Sequence, residues 1–194
     1  MVWAKAGTTT LGSAGDDLDI TSMTANKFNQ FISHCLASST IDIKATFEND
    51  TSSVYAHRWS IDGGAEGTGT SEANMRWMAQ LVAHDRMTIT YVISISGEEK
   101  LVIDFGVTQG TAGASNAPTR LEGVFKYVPS PDSDITRVDF NNDQAGSFDT
   151  GSNLSALTGD ETEIVTLQDG TIFEETDTNK AYIWNASTKT WTQL

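Results

Sequence analysis

A single cysteine, Cys35, is all the thiol chemistry the 194 residues contain. That excludes an internal disulfide framework and any metal site built from several thiolates. Bases are scarce as well: 12 Lys and Arg stand against 26 Asp and Glu, a formal charge of −14. A phosphate-binding surface needs clustered bases that displace counterions, so the balance argues against nucleic acid and against adsorption to anionic lipid. No apolar run approaches the roughly 20 residues of a spanning helix, and the opening MVWAKAGTTTLGSAGDDLDI has no apolar stretch of signal-peptide length. The expectation is a protein made in a cytoplasm, with no membrane partner.

Catalytic constellations are lacking too. No G-x-S-x-G elbow occurs, and His34, His57 and His84 are scattered over different elements, so they read as structural histidines. The stretch DGGAEGTGTS lacks the lysine of a phosphate loop and reads as turn and loop. Cys35, between His34 and Leu36, reads as a small buried hydrophobe. These features predict a non-enzymatic protein with no cofactor.

The chain does have a period of two. In TIDIKATFEND, Ile41, Ile43, Ala45 and Phe47 alternate with Asp42, Lys44, Thr46 and Glu48, the pattern of a strand with one buried face. RMTITYVISIS sets Met87, Ile89, Tyr91, Ile93 and Ile95 on one side, and EKLVIDFGV repeats the pattern with Leu101, Ile103, Phe105 and Val107. The linking SGEE predicts a hairpin. Further strands are expected over Val2–Thr10, Lys27–Leu36, Ser53–Ile61, Leu121–Val128, Ile135–Phe140 and Asn153–Leu157. Helical signals are few. SEANMRWMAQL, with Ser71 as cap and Met75, Met78 and Leu81 on one face, reads as helix or strand, and TSMTANKFNQ as a possible helical turn. The fold class is all-β, an antiparallel β-sandwich of jelly-roll-like kind.

Composition shifts near residue 130. Ser130 to Leu194 carries 12 acids and 3 bases, leaving −5 of the −14 for the first 129 residues. DGTIFEETDTNKAYIWNASTKTWTQL reads as three short strands with Phe173, Tyr182, Trp184 and Trp191 as an aromatic cluster. The expected organisation is a sandwich over 1–160 and a small meander over 161–194. The aromatics either fill the meander or stack on sugar rings; the alternation in AYIWN favours filling. Asp139, Asn141 and Asp143 alternate as oxygen ligands do in calcium loops, but Gln144 stands where such a loop needs Gly and no Glu closes it. Asp16, Asp17 and Asp19 form a second loose acidic group. Solvated turn carboxylates are the simpler reading of both.

The C-terminal pattern of Gly170, Phe173, Thr176, Lys180, Tyr182, Trp184 and Trp191 resembles the small aromatic β-meander of tailed-phage tail-fibre and other virion proteins. SVYAHRWSIDGGAEGTGTS, SGEEKL, QGTAGASNAPTR and AGSFDTGSNL are similar to stretches of a group of phage and marine-virus structural proteins. The resemblance implies a virion protein, either a capsid decoration (cement) protein or a fibre-like appendage. It would assemble in the host cytoplasm onto major capsid or tail proteins as a homo-oligomer, with a trimer as the expected order. The acidic charge favours the outside of a particle over a DNA-filled interior. The alternative expectation is a carbohydrate-binding module for host surface glycans.

Overall fold

The computed structural model describes residues 3–82, 84–131, 133–159, 168–175, 180–188 and 190–194, with the backbone alone for 77–82. Fifteen strands follow one another among the described residues: β1 (Ala4–Thr10), β2 (Asp17–Ile20), β3 (Phe28–Cys35), β4 (Ile41–Phe47), β5 (Tyr55–Ile61), β6 (Gly67–Glu72), β7 (Met75–Val82), β8 (Arg86–Ile93), β9 (Lys100–Thr108), β10 (Thr119–Tyr127), β11 (Val138–Asn142), β12 (Asn153–Gly159), β13 (Ile172–Glu175), β14 (Lys180–Asn185) and β15 (Thr190–Gln193). Among the described residues there is no helix. Two compact units result, one over Trp3–Gly159 and one containing Asp160–Leu194.

The larger unit is an antiparallel sandwich. An eight-stranded sheet of order β1-β12-β3-β8-β9-β10-β5-β6 packs on a four-stranded sheet of order β2-β11-β4-β7. From β1 to β5 the chain alternates between the sheets at every strand, as a jelly roll does. Aromatic rings join the layers. Phe47 of the small sheet lies 6.1 Å from Phe31 and 5.7 Å from Tyr127 of the large one, and Tyr127 stacks on Tyr55 at 4.9 Å. The Tyr55 hydroxyl accepts from the Phe47 amide at 3.0 Å and donates to the Asp50 carbonyl at 3.0 Å, so the buried phenol is satisfied at both ends. Burial raises the pKa of both tyrosines, that of Tyr127 to about 12. The smaller unit is the three-stranded meander β13-β14-β15. Its Thr176 and most of the DTNK turn lie outside the described residues, as does Val2 at the start of the chain.

Three local expectations change. SEANMRWMAQL is strand: Met75–Val82 pairs antiparallel with β4. Ser71 is no helix cap; it is the extra residue of a bulge, at φ 56, where the β5–β6 register skips between Ala56–Thr70 and Tyr55–Glu72. Half of DGGAEGTGTS is the edge strand β6. Gly67 and Gly69 lie beneath the Trp59 indole and the His57 imidazole, where a Cβ would meet ring atoms, so glycine here permits a close approach. TSMTANKFNQ holds no helical turn, and β3 begins at its Phe28.

The fourth change concerns which way strands face. The hairpin of β8 and β9 forms as the SGEE link predicts, with Ile93 opposite Leu101 and Gly97 at φ 81. Its apolar side, however, faces outward. Thr88, Thr90, Val92, Ser94, Lys100, Val102, Asp104 and Thr108 are buried, while Met87, Tyr91, Leu101, Ile103, Phe105 and Val107 are exposed. Small and hydroxyl-bearing residues suit this interior because they pair across strands. Ser33 and Thr88 hydroxyls meet at 2.7 Å, and Thr90 donates to Asp104 at 2.5 Å. Strand β4, by contrast, is buried on both sides, Asp42 and Thr46 included.

Candidate docking face

Cross-strand register assembles the exposed residues into ordered rows. One row runs Phe28, Ile93, Leu101, Lys126, Ala56; the next runs Gln30, Tyr91, Ile103, Val124, Arg58. A third runs Ile32, Ile89, Phe105, Glu122, Ser60, and a fourth His34, Met87, Val107, Arg120. The middle is apolar on β8 and β9 throughout and on β10 at Val124. The flank on β10 and β5 is polar, with Lys126, Glu122, Arg120 and Arg58, whereas on β3 Phe28 and Ile32 alternate with Gln30 and His34. Leu101 is 54 % exposed, Phe105 52 %, and Ile103 and Val124 each 49 %. Isolated exposed apolar side chains are ordinary on protein surfaces, but a contiguous block of them ringed by polar residues marks a contact surface.

The polar flank is internally compensated. Arg58 pairs with Glu66, Arg120 with Glu122 at 3.2 Å, and Lys126 with Glu99 at 3.1 Å. These six side chains sum to zero charge in a molecule of −14. A shallow open groove of about 490 Å³ runs along β5, β9 and β10, lined by Leu101, Ile103, Val124, Lys126, Arg58 and Thr68 among others. The alternation of β8 and β9 is plain in the sequence, and a strand with one buried face would ordinarily set its apolar side against the core. The missed signal was on the opposite side. Lys100, Val102, Asp104, Gly106 and Thr108 make a row just as regular, and period two distinguishes faces without saying which is covered.

The acidic residues come together on the outer side of the small sheet. Strand β11 pairs with β2, placing Asp139 opposite Asp19 and Asn141 opposite Asp17. Each calcium candidate there is engaged by the protein. Asp139 forms an ion pair with Arg137, Asn141 donates to Asp17 at 2.6 Å, and Asp143 pairs with Lys44. Arg137 also reaches Asp19 at 3.5 Å. Burial, followed by the nearby Asp139 carboxylate, raises the Asp19 pKa to about 6, with Arg137 opposing. No group of three or more His, Cys, Asp or Glu among the described residues is arranged to hold a metal.

The remaining candidates do not converge. His34 is exposed at a corner of the apolar face, His84 is half-buried, and His57 is buried edge-on to Phe125 at 6.0 Å. Burial lowers the His57 pKa, with Arg76 adding to it and Glu72 opposing. Cys35 is buried and its thiol is pushed up to about 12 by desolvation, so it is inert at neutral pH. In the meander, Phe173, Tyr182, Trp184 and Trp191 do share one side, with ring separations of 6.4 Å for Phe173–Tyr182, 6.1 Å for Phe173–Trp191 and 5.3 Å for Trp184–Trp191. Tyr182 and Trp184 are half-buried; Phe173 and Trp191 are exposed. An Asx turn follows, in which the Asn185 side chain accepts from the Ser187 and Thr188 amides at 3.0 and 3.1 Å.

No family model, curated protein or solved structure matches this chain.

Proposed function

We propose that the protein is a non-enzymatic structural subunit that works by docking the outer face of its large sheet onto a neighbouring subunit. The observation that carries this reading is the apolar centre of Tyr91, Leu101, Ile103, Phe105 and Val124, exposed and bordered along β10 and β5 by neutralised ion pairs. Covering such a centre supplies roughly 25 cal/mol for each Å² of apolar area removed from water. The setting we propose is the exterior of a tailed virus, as a capsid decoration protein or fibre-like appendage contacting major capsid or tail proteins. The phage-like turn and meander motifs support that setting, and the acidic charge suits a surface turned away from packaged DNA.

The test is binding to particles. Mass spectrometry of purified virions is expected to find this polypeptide. Protein added back to stripped particles should bind and raise the temperature at which the shell opens, whereas Phe105→Asp should bind at least tenfold more weakly. A protein absent from particles, or a Phe105→Asp variant that binds as well as the parent, overturns the reading.

A second reading rests on the meander. Exposed Phe173 and Trp191 on one side of a small sheet offer flat apolar surfaces of the kind that stack on sugar rings, which supports recognition of a host glycan. A glycan array should then show selectivity that Trp191→Ala removes and that a chelator leaves intact. Uniform background across the array rules it out.

A further inference from the structure

From the geometry of the apolar face we infer that its occupant is a second copy of this chain, docked sheet on sheet about a two-fold axis passing near Ile103. The inference rests on the docking reading above and names the partner.

Two observations select a second copy over an unrelated subunit. The first is charge. Two molecules of −14 repel each other over most of their surfaces, and approach is easiest through a region whose charge cancels within each copy. The rows from β3 to β5 supply that region. Their bases Arg58, Arg120 and Lys126 are each held by an acid of the same chain, so no unmatched charge is left to demand an oppositely charged partner. A basic partner would instead be drawn to the acidic surfaces elsewhere on the molecule. A face of this kind is compatible with itself, which an isologous contact requires.

The second is size and shape. Five strands about 4.8 Å apart and four rows about 6.8 Å apart give a footprint on the order of 650 Å² in projection. Each partner of a standard-size interface buries about 800 Å² of accessible surface, so the footprint is of the right order for a dimer. The apolar rows are regular, with branched and aromatic side chains standing up from β8, β9 and β10. Two such sheets interdigitate at about 10 Å separation with their strands near 30° apart, as the layers of a sandwich do.

Sedimentation equilibrium on the full-length protein at micromolar concentration tests this. The expected mass is twice the 20.9 kDa of the chain. Ile103→Asp, and independently Val124→Lys, should return it to the monomer with an unchanged far-ultraviolet circular dichroism spectrum. Ile103→Cys should give a bis-maleimide-linked dimer in high yield, since buried Cys35 does not compete, while Thr8→Cys on edge strand β1 should not. A monomer at micromolar concentration overturns the inference, and so does a trimer insensitive to both face substitutions. A monomer whose Phe105→Asp variant still loses particle binding leaves the docking reading standing with another partner, including the C-terminal unit of a neighbouring copy. A dimer sensitive to Ile103→Asp, with particle binding unaffected by Phe105→Asp, keeps the inference and removes the virion particle as the setting proposed for it.

Discussion

Among the described carboxylates, Asp104 is the one whose environment departs furthest from the ordinary. It lies on the inner side of β9, flanked across the strands by Thr90 and Gly123, and burial raises its pKa to about 8, with the Thr90 hydrogen bond opposing. The folded state therefore holds a proton that the unfolded chain releases near pH 4. Stability rises as pH falls from about 8 towards 4, and above about 8 the penalty of burying the ionised form is complete. Asp104→Asn should raise the unfolding free energy at about pH 8 by about 1–3 kcal/mol, the penalty expected of a poorly satisfied buried polar group, and flatten the pH dependence measured by urea titration. Asp19 adds a smaller contribution of the same sign between about pH 6 and 4. Its neighbour Arg137 compensates both Asp19 and the buried Asp139. Arg137→Leu should cost about 1–3 kcal/mol near neutral pH, and less near pH 5 where Asp19 takes up a proton. An equal loss at both values would contradict the arrangement.

At the scale of elements, glycines decide whether the edge strand forms. Gly69→Ala places a methyl against the His57 ring and the Glu72 carboxylate, so β6 should detach. Hydrogen exchange is expected to accelerate in β6 and stay unchanged in β8 and β9, with an overall loss of about 1–3 kcal/mol. That strand was hard to read because GTGTSE offers no apolar alternation, and only the rings of β5 above it explain the glycines. Strands β8 and β9 were legible from the alternation of Val, Ile, Thr and aromatic residues along them, β3 and β10 from their Phe, Ile, Val and Tyr content, and β12 from Leu154 and Ala156 alternating with Asn153 and Ser155; the SGEE turn fixed one hairpin. Strand β7 was ambiguous because Met75, Met78 and Leu81 satisfy a helical spacing while Met75, Trp77, Ala79 and Leu81 satisfy a strand's; pairing with β4 settles it. The docking face was visible as a pattern and misread in direction. Leu101, Ile103 and Phe105 look like core in isolation, and only the packing of Phe31, Phe47, Tyr55 and Tyr127 between the sheets shows that the other side of the large sheet is covered.

For the whole molecule, the imbalance between a strongly acidic body and a neutral, oily face would set how copies meet under the proposed self-docking. Contacts built on bridges between unlike charges weaken when ions are added, because the attraction is screened. Here the bridges stay inside each chain, and what ions screen is the mutual repulsion of the acidic bodies. Added sodium chloride should therefore tighten self-association, and ammonium sulfate should do so more strongly by favouring burial of apolar surface. Brine is thus a friendly medium for this design: a particle bearing such subunits would hold together better in seawater than in a dilute buffer.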